Sequence, residues 1–220
     1  MGETFLDALS EQEAAELHAA GRRRSYRAAV TIVHEGDDTG PVVVLLRGRA
    51  KVSTAGAVGR EAIIAVRGPG DLIGELSAID DSPRSASVTT LEPVEALLVP
   101  GSRFATLLES HPRIALVILR MVAGRLRDAD TGQAQLGTHD VVARVSQRVI
   151  ELADRFGEKH DGRIEIALPL SQEELAAWVG ASREAVSKAL QQLRSLGIVE
   201  TGRRHLTVLD LDGLRRRAAV

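Results

Sequence analysis

The rhythm of apolar and polar positions changes several times along the 220 residues. Over 3–20, Phe5, Leu6, Leu9, Ala14 and Leu17 fall at helical spacing. From 21 to 100 the apolar residues gather in short runs, VVVLL at 42–46, AIIAV at 62–66 and ALLV at 96–99. Gly36, Gly48, Gly59, Gly68-Pro69-Gly70 and Pro93 punctuate them. Short strands between such turns predict a β-sandwich or jelly roll. Ser110, a good N-cap, and Pro112, tolerated in a first turn, open a helix over 111–136 that Gly137 ends. At 1.5 Å per residue it spans ~39 Å. Leu119, Val122, Leu126, Ala129, Gln133 and Leu136 alternate spacings of three and four along it, a short heptad seam. That seam either joins two copies of the chain or packs on the β-roll. Asp140 starts a helix over 141–156 closed by Gly157. The loop EKHDG then leads to a strand through Ile164, Ile166 and Leu168 that Pro169 ends.

Residues 171–196 read as two helices joined by a sharp turn. Ser171 and Glu174 form the S-x-x-E capping box of a helix start. Leu175, Ala176 and Val179 face inward, Gly180 supplies a left-handed turn, and Ser182 caps the second helix. There Val186, Ala189, Leu190 and Leu193 make an apolar face, with Arg183, Glu184, Ser187 and Lys188 opposite. This is the layout of a helix-turn-helix, whose second helix presents its N-terminal residues to base edges in the major groove. The competing reading is a solvated helix carrying a Glu184–Lys188 pair. Next, GIVETGRRHLTVL reads as a hairpin with Gly202 at its tip, where Arg203 and Arg204 suit phosphate contact, so the module is expected to be winged. The candidate DNA-facing set is Ser171, Gln172, Ser182, Arg183, Glu184, Ser187, Lys188, Arg203 and Arg204. A helix-turn-helix usually binds a two-fold site as a dimer, which favours a dimer seam on the long helix.

Composition narrows the classes. There is no cysteine, which removes disulfides, thiolate metal sites, iron–sulfur clusters and cysteine nucleophiles and fits a reducing compartment. No apolar run approaches the roughly 20 residues of a membrane span. The N-terminus lacks the basic and apolar regions of a signal peptide, so a cytoplasmic protein is expected. Residues 1–140 hold 15 basic and 19 acidic side chains and residues 141–220 hold 13 and 11, so the small basic excess sits at the C-terminal end. A jelly-roll enzyme would need clustered histidines with a carboxylate around a metal. His18, His34, His111, His139, His160 and His205 are scattered, no G-x-S-x-G elbow or P-loop occurs, and an enzyme is not expected.

The segment GDLIGELSAIDDSPRSASV, 70–88, resembles the phosphate-binding cassette of the cyclic-nucleotide-binding fold. With a long helix and GASREAVSKAL after it, the chain resembles the cyclic-AMP receptor protein branch of the Crp/Fnr regulator family over nearly its whole length. The cassette's chemistry suits a buried anion: Arg84 offers a bidentate guanidinium and Ser85 a hydroxyl and a backbone N–H. Glu75 can accept from a ribose hydroxyl, and Gly74, before Glu75 and Leu76, allows close backbone approach. The resemblance implies these roles position by position; the competing reading pairs Arg84 with Asp80 or Asp81 on the surface. It also implies that Arg125 meets the cassette and that Ala129 and Asp130 take the two base-contacting places, where the family carries hydroxyl or amide side chains. The expected architecture is α+β: an N-terminal helix and cyclic-nucleotide-binding β-roll (jelly roll) over 1–110, a dimerisation helix over 111–138, and a winged helix-turn-helix over 139–220. The implied protein is a homodimeric regulator controlled by cAMP that binds palindromic double-stranded DNA with TGTGA-like half-sites, with RNA polymerase as a further partner. The alternative keeps this architecture but binds DNA without a nucleotide or with another effector.

Overall fold

The computed structural model describes residues 4–38, 40–56, 61–138, 140–167, 170–202 and 204–219, with backbone alone over 131–138. It divides into two compact units, Glu3–Arg127 and Asp128–Val220.

In the first unit, helix α1 covers Glu11–Ala20. It is shorter than the periodicity over 3–20 predicts, because Ser10 and Glu13 close a capping box that fixes the start. Eight strands follow: β1 Arg22–Tyr26, β2 Thr31–Val33, β3 Val42–Arg47, β4 Ala50–Ala55, β5 Glu61–Arg67, β6 Leu72–Ile73, then, after the short helix α2 (Glu75–Asp80), β7 Ser87–Thr90 and β8 Val94–Val99. They form two four-stranded sheets, ordered β1-β8-β3-β6 and β2-β7-β4-β5, with antiparallel pairing throughout. The uninterrupted apolar run of β3 is explained by burial on both faces. Val42 and Val44 join a core with Phe5, Leu17, Phe104 and Ile114, while Val43 and Leu45 meet Val33, Ala50 and Val88 between the sheets.

Two helices close this unit. Helix α3, Gly101–Ser110, buries Phe104 and Leu107 and has no counterpart in the sequence reading. Ser110 ends α3 instead of capping the next helix: its hydroxyl donates to the Thr106 carbonyl. Pro112 does begin the long helix, α4, which runs Pro112–Thr138 and passes through Gly137. The seam also needs correction. Val122 packs with Met121 against the roll's own core. The outward apolar positions are Leu116, Leu119 and Leu126, 53%, 64% and 61% exposed. Ala129 is exposed, and the side chains of Gln133 and Leu136 lie outside the described residues.

The second unit is built on α5, Val141–Phe156, whose N-cap Asp140 accepts from the Ala143 N–H. The segment expected as a loop is partly a strand. β9, Gly157–His160, pairs with β10, Arg163–Ala167, across a two-residue turn at Asp161 and Gly162, both with left-handed φ (46° and 78°). This is the turn geometry whose twist matches a hairpin. Helices α6 (Gln172–Val179) and α7 (Arg183–Ser195) precede strands β11 (Val199–Gly202) and β12 (His205–Val208), and an unanticipated helix α8 (Leu211–Ala218) packs on α5. The sheet order is β11-β12-β10-β9. Among the described residues no helix is long and apolar enough to cross a membrane.

Candidate functional site

The cassette is assembled where β6 runs into α2. Gly74 stands between them at φ 80°, the left-handed region that favours glycine, and a Cβ there would press on the Arg84 guanidinium. Arg84 is fixed at both ends. Its backbone N–H donates to the Asp37 carbonyl (2.8 Å), and its carbonyl accepts from the Gly36 N–H (2.8 Å). Its guanidinium donates through Nη1 to the Gly74 carbonyl (2.8 Å) and through Nη2 to the Pro41 carbonyl (2.7 Å). No bond to Asp80 or Asp81 is made; Asp80 instead accepts from the Ser82 N–H. Burial lowers the Arg84 pKa from its ordinary value, and the carboxylates of Glu75 and Asp37 oppose that shift. A buried guanidinium with N–H donors beyond those two carbonyl bonds is a prepared anion partner.

Glu75 is 3% exposed. Its Oε1 accepts from Arg125 Nη1 on α4 at 2.6 Å, and Arg125 Nη2 donates to the Leu72 carbonyl at 2.8 Å. Its other oxygen, Oε2, is buried without a hydrogen-bond partner. A buried carboxylate oxygen left unpaired is costly, and a ligand hydroxyl would satisfy it. Gly74, Glu75, Arg84 and Arg125 are thus brought together. Leu76 and Ser85 are exposed beside them, and Ala129 and Asp130 are exposed farther along α4, in the second unit.

In that unit Ser171 and Glu174 form both halves of the capping box, and α6 buries Leu175, Ala176, Trp178 and Val179. Gly180 ends α6 in the left-handed region (φ 68°, ψ 43°), and Ser182 caps α7 by accepting from the Ala185 N–H. Helix α7 buries Val186, Ala189, Leu190 and Leu193 and exposes Arg183, Glu184, Ser187 and Lys188. The Glu184 carboxyl is held below its ordinary pKa by its own backbone N–H, then by the Ser182 hydroxyl and the nearby Arg183 and Lys188, so it is an ionised acceptor at neutral pH. Exposed Ser171 and Gln172 begin α6, and Arg204 sits at the hairpin tip with φ 60°; Arg203 lies outside the described residues.

Sequence reasoning missed how the turn is gripped. Arg144 Nε on α5 donates to the Val179 carbonyl (3.0 Å), and Arg148, one turn later, stacks over the Trp178 ring at 5.1 Å. The spacing of Leu175, Trp178 and Val179 marks Trp178 as inward-facing, but nothing local announces the two arginines.

Two family models match the chain. The cyclic nucleotide-binding domain covers residues 23–111 and the Crp-like helix-turn-helix domain covers 143–217. A CRP-like cAMP-activated global transcriptional regulator of Mycobacterium tuberculosis is 34% identical over 188 residues, 86% of this chain and 84% of that protein. The chain belongs to the Crp/Fnr family. It is a DNA-binding transcription regulator with a cyclic nucleotide-binding domain. The regulator is also 30% identical over 181 residues to the cyclic AMP receptor protein of Thermus thermophilus, covering 82% of this chain and 81% of that one. The solved structure of FixK2 from Bradyrhizobium japonicum matches it with a TM-score of 0.81 at 25% identity, over 91% of this chain and 98% of that chain.

Proposed function

We propose that the regulator is a cytoplasmic homodimer that binds cAMP at the cassette and then binds palindromic DNA with TGTGA-like half-sites. The observation that carries the nucleotide reading is the buried Arg84 guanidinium near buried Glu75, whose Oε2 lacks a partner. In this reading Arg84 and Ser85 hold the cyclic phosphate, and Glu75, held by Arg125, accepts from the ribose hydroxyl. The family resemblance assigns Ala129 and Asp130 to the base. Ala129 offers no hydrogen bond, and a carboxylate accepts from the 6-amino group of adenine but repels the 6-oxo group of guanine, so cAMP is preferred over cGMP. Nucleotide binding shifts the population between two dimer geometries, one of which matches both half-sites. RNA polymerase is the expected further partner at promoters.

The test is a DNA-shift titration with no nucleotide, with cAMP and with cGMP. Tighter binding with cAMP alone is expected. Identical isotherms under all three conditions would favour a regulator that binds DNA without a nucleotide. That second reading draws on the Arg84 guanidinium being already engaged by the Gly74 and Pro41 carbonyls.

On DNA, Arg183 is assigned to a guanine, whose O6 and N7 it can meet together, and Glu184 to a cytosine N4 of a neighbouring pair. Lys188 cannot make a forked contact and discriminates less at its base pair. Glu184→Ala is expected to relax selectivity at one position by about 1–3 kcal/mol. A binding-site selection on that variant that returned the wild-type preference at every position would show that Glu184 reads no base.

A further inference from the structure

The stripe of α7 expected to face DNA continues beyond the residues assigned so far. Arg194 lies eleven residues after Arg183 on the same helix. At 3.6 residues per turn that is three turns to within roughly 20°, so the two arginines lie on one line along the helix surface. Arg194 is exposed, and its Nη1 donates to Thr201 Oγ1 at 3.2 Å. Thr201 belongs to β11 and pairs with Leu206; the next pair, Gly202 with His205, closes the hairpin tip. The guanidinium is therefore carried from the last turn of α7 to a point one residue pair short of the wing tip. Side chains on a helix lean toward its N-terminus, here the end expected to enter the groove.

A winged helix-turn-helix that sets one helix in the major groove and a hairpin beside it must straddle the phosphate strand between them. Arg194 bridges those two elements. The Thr201 bond uses one of its five N–H donors, and among the described residues no carboxylate pairs with it. An exposed guanidinium anchored by a neutral hydroxyl keeps its full charge for an anion.

We infer that Arg194 is a further DNA-backbone contact, a clamp on the phosphate strand that passes between α7 and the wing, with Thr201 as its positioning residue. This rests on the DNA-binding reading of α7 and the wing. A cation in the last turn of a helix also offsets the unpaired carbonyls there, and the experiment separates the two roles.

The full-length chain is titrated with a duplex bearing its selected site and with a random duplex, between 50 and 200 mM salt. The variants are Arg194→Ala, Arg194→Lys, Thr201→Val and, as a wing comparison, Arg204→Ala. Arg194→Ala is expected to reduce the salt slope by about 0.9 per bound chain. The proposed dimer loses two such contacts, so its affinity relative to wild type would then change about twelvefold across that range. The loss falls equally on both duplexes, and the selected base preference is unaltered. Arg194→Lys restores the slope because the charge remains. Thr201→Val keeps the slope but weakens binding, because the charge is no longer held in place. A wild-type slope in Arg194→Ala beside a reduced slope in Arg204→Ala overturns the clamp alone, whatever happens to the thermal midpoint. A wild-type chain that bound neither duplex would overturn the DNA-binding reading beneath it.

Discussion

Arg84→Leu is expected to remove cyclic-nucleotide binding. Arg84 is the only guanidinium that the cassette segment 70–88 contains, and it is 5% exposed. Losing one partner of a buried, hydrogen-bonded charge pair costs about 2–5 kcal/mol, or roughly 30-fold to several-thousand-fold in Kd. Arg125, held beside the cassette by Glu75, is a second guanidinium that can leave some residual binding. The same substitution also strips the Gly74 and Pro41 carbonyls of their donor, so the thermal midpoint falls as well. Arg84→Lys keeps the charge without the fork and is expected to fall between the two. Calorimetry with cAMP on wild type and both variants is the measurement. Equal binding by wild type and Arg84→Leu would remove the phosphate from this residue and place the nucleotide, if any, elsewhere.

Leu126→Glu is expected to convert the regulator to monomers. Leu116, Leu119 and Leu126 together leave an apolar stripe on α4 that its own unit does not cover. Burying a leucine side chain contributes about 1.5–3 kcal/mol, and a two-fold interface counts each residue twice. A glutamate in the stripe replaces that gain with two like charges near the axis. A monomer engages one half-site at a time, and losing the linkage between half-sites lowers apparent operator affinity by about 10²–10⁴. Sedimentation equilibrium and a shift titration report the two effects separately. An unchanged dimer mass would move the interface off this stripe.

The parts of the fold that showed in the sequence are those with a local physical cause. The β3 run is visible because burial on both faces leaves no polar positions. The two-helix motif is visible because Ser171, Glu174, Gly180 and Ser182 each solve a helix-end problem within a few residues. What stayed hidden had weaker local marks. β9 is an exposed, polar edge strand whose identity comes from pairing with β10. Helix α8 is eight residues long and carries three arginines in its last turn. Helix α3 follows Pro100 directly and ends at a serine that equally suits the start of the next helix.

At the candidate site the side chains were legible and their partners were not. Arg84 and Glu75 stand out by residue type and spacing. The groups that hold Arg84 are main-chain carbonyls of Gly74 and Pro41, and no side-chain pattern encodes a carbonyl. Val122 was misplaced for a related reason. Helical spacing fixes which residues share a stripe, but not which edge of that stripe packs on the roll's core.

Trp178, stacked beneath Arg148 in the packing of α5 against α6, is the chain's single tryptophan, and Tyr26 in the β-roll is its single tyrosine. The two compact units therefore carry different intrinsic chromophores. Indole emission excited beyond the tyrosine band originates in the DNA-binding unit alone, beside a cation that perturbs it. The native chain comes with its own optical label on the helix-turn-helix, and the loosening of that unit can be watched against the roll without adding a dye.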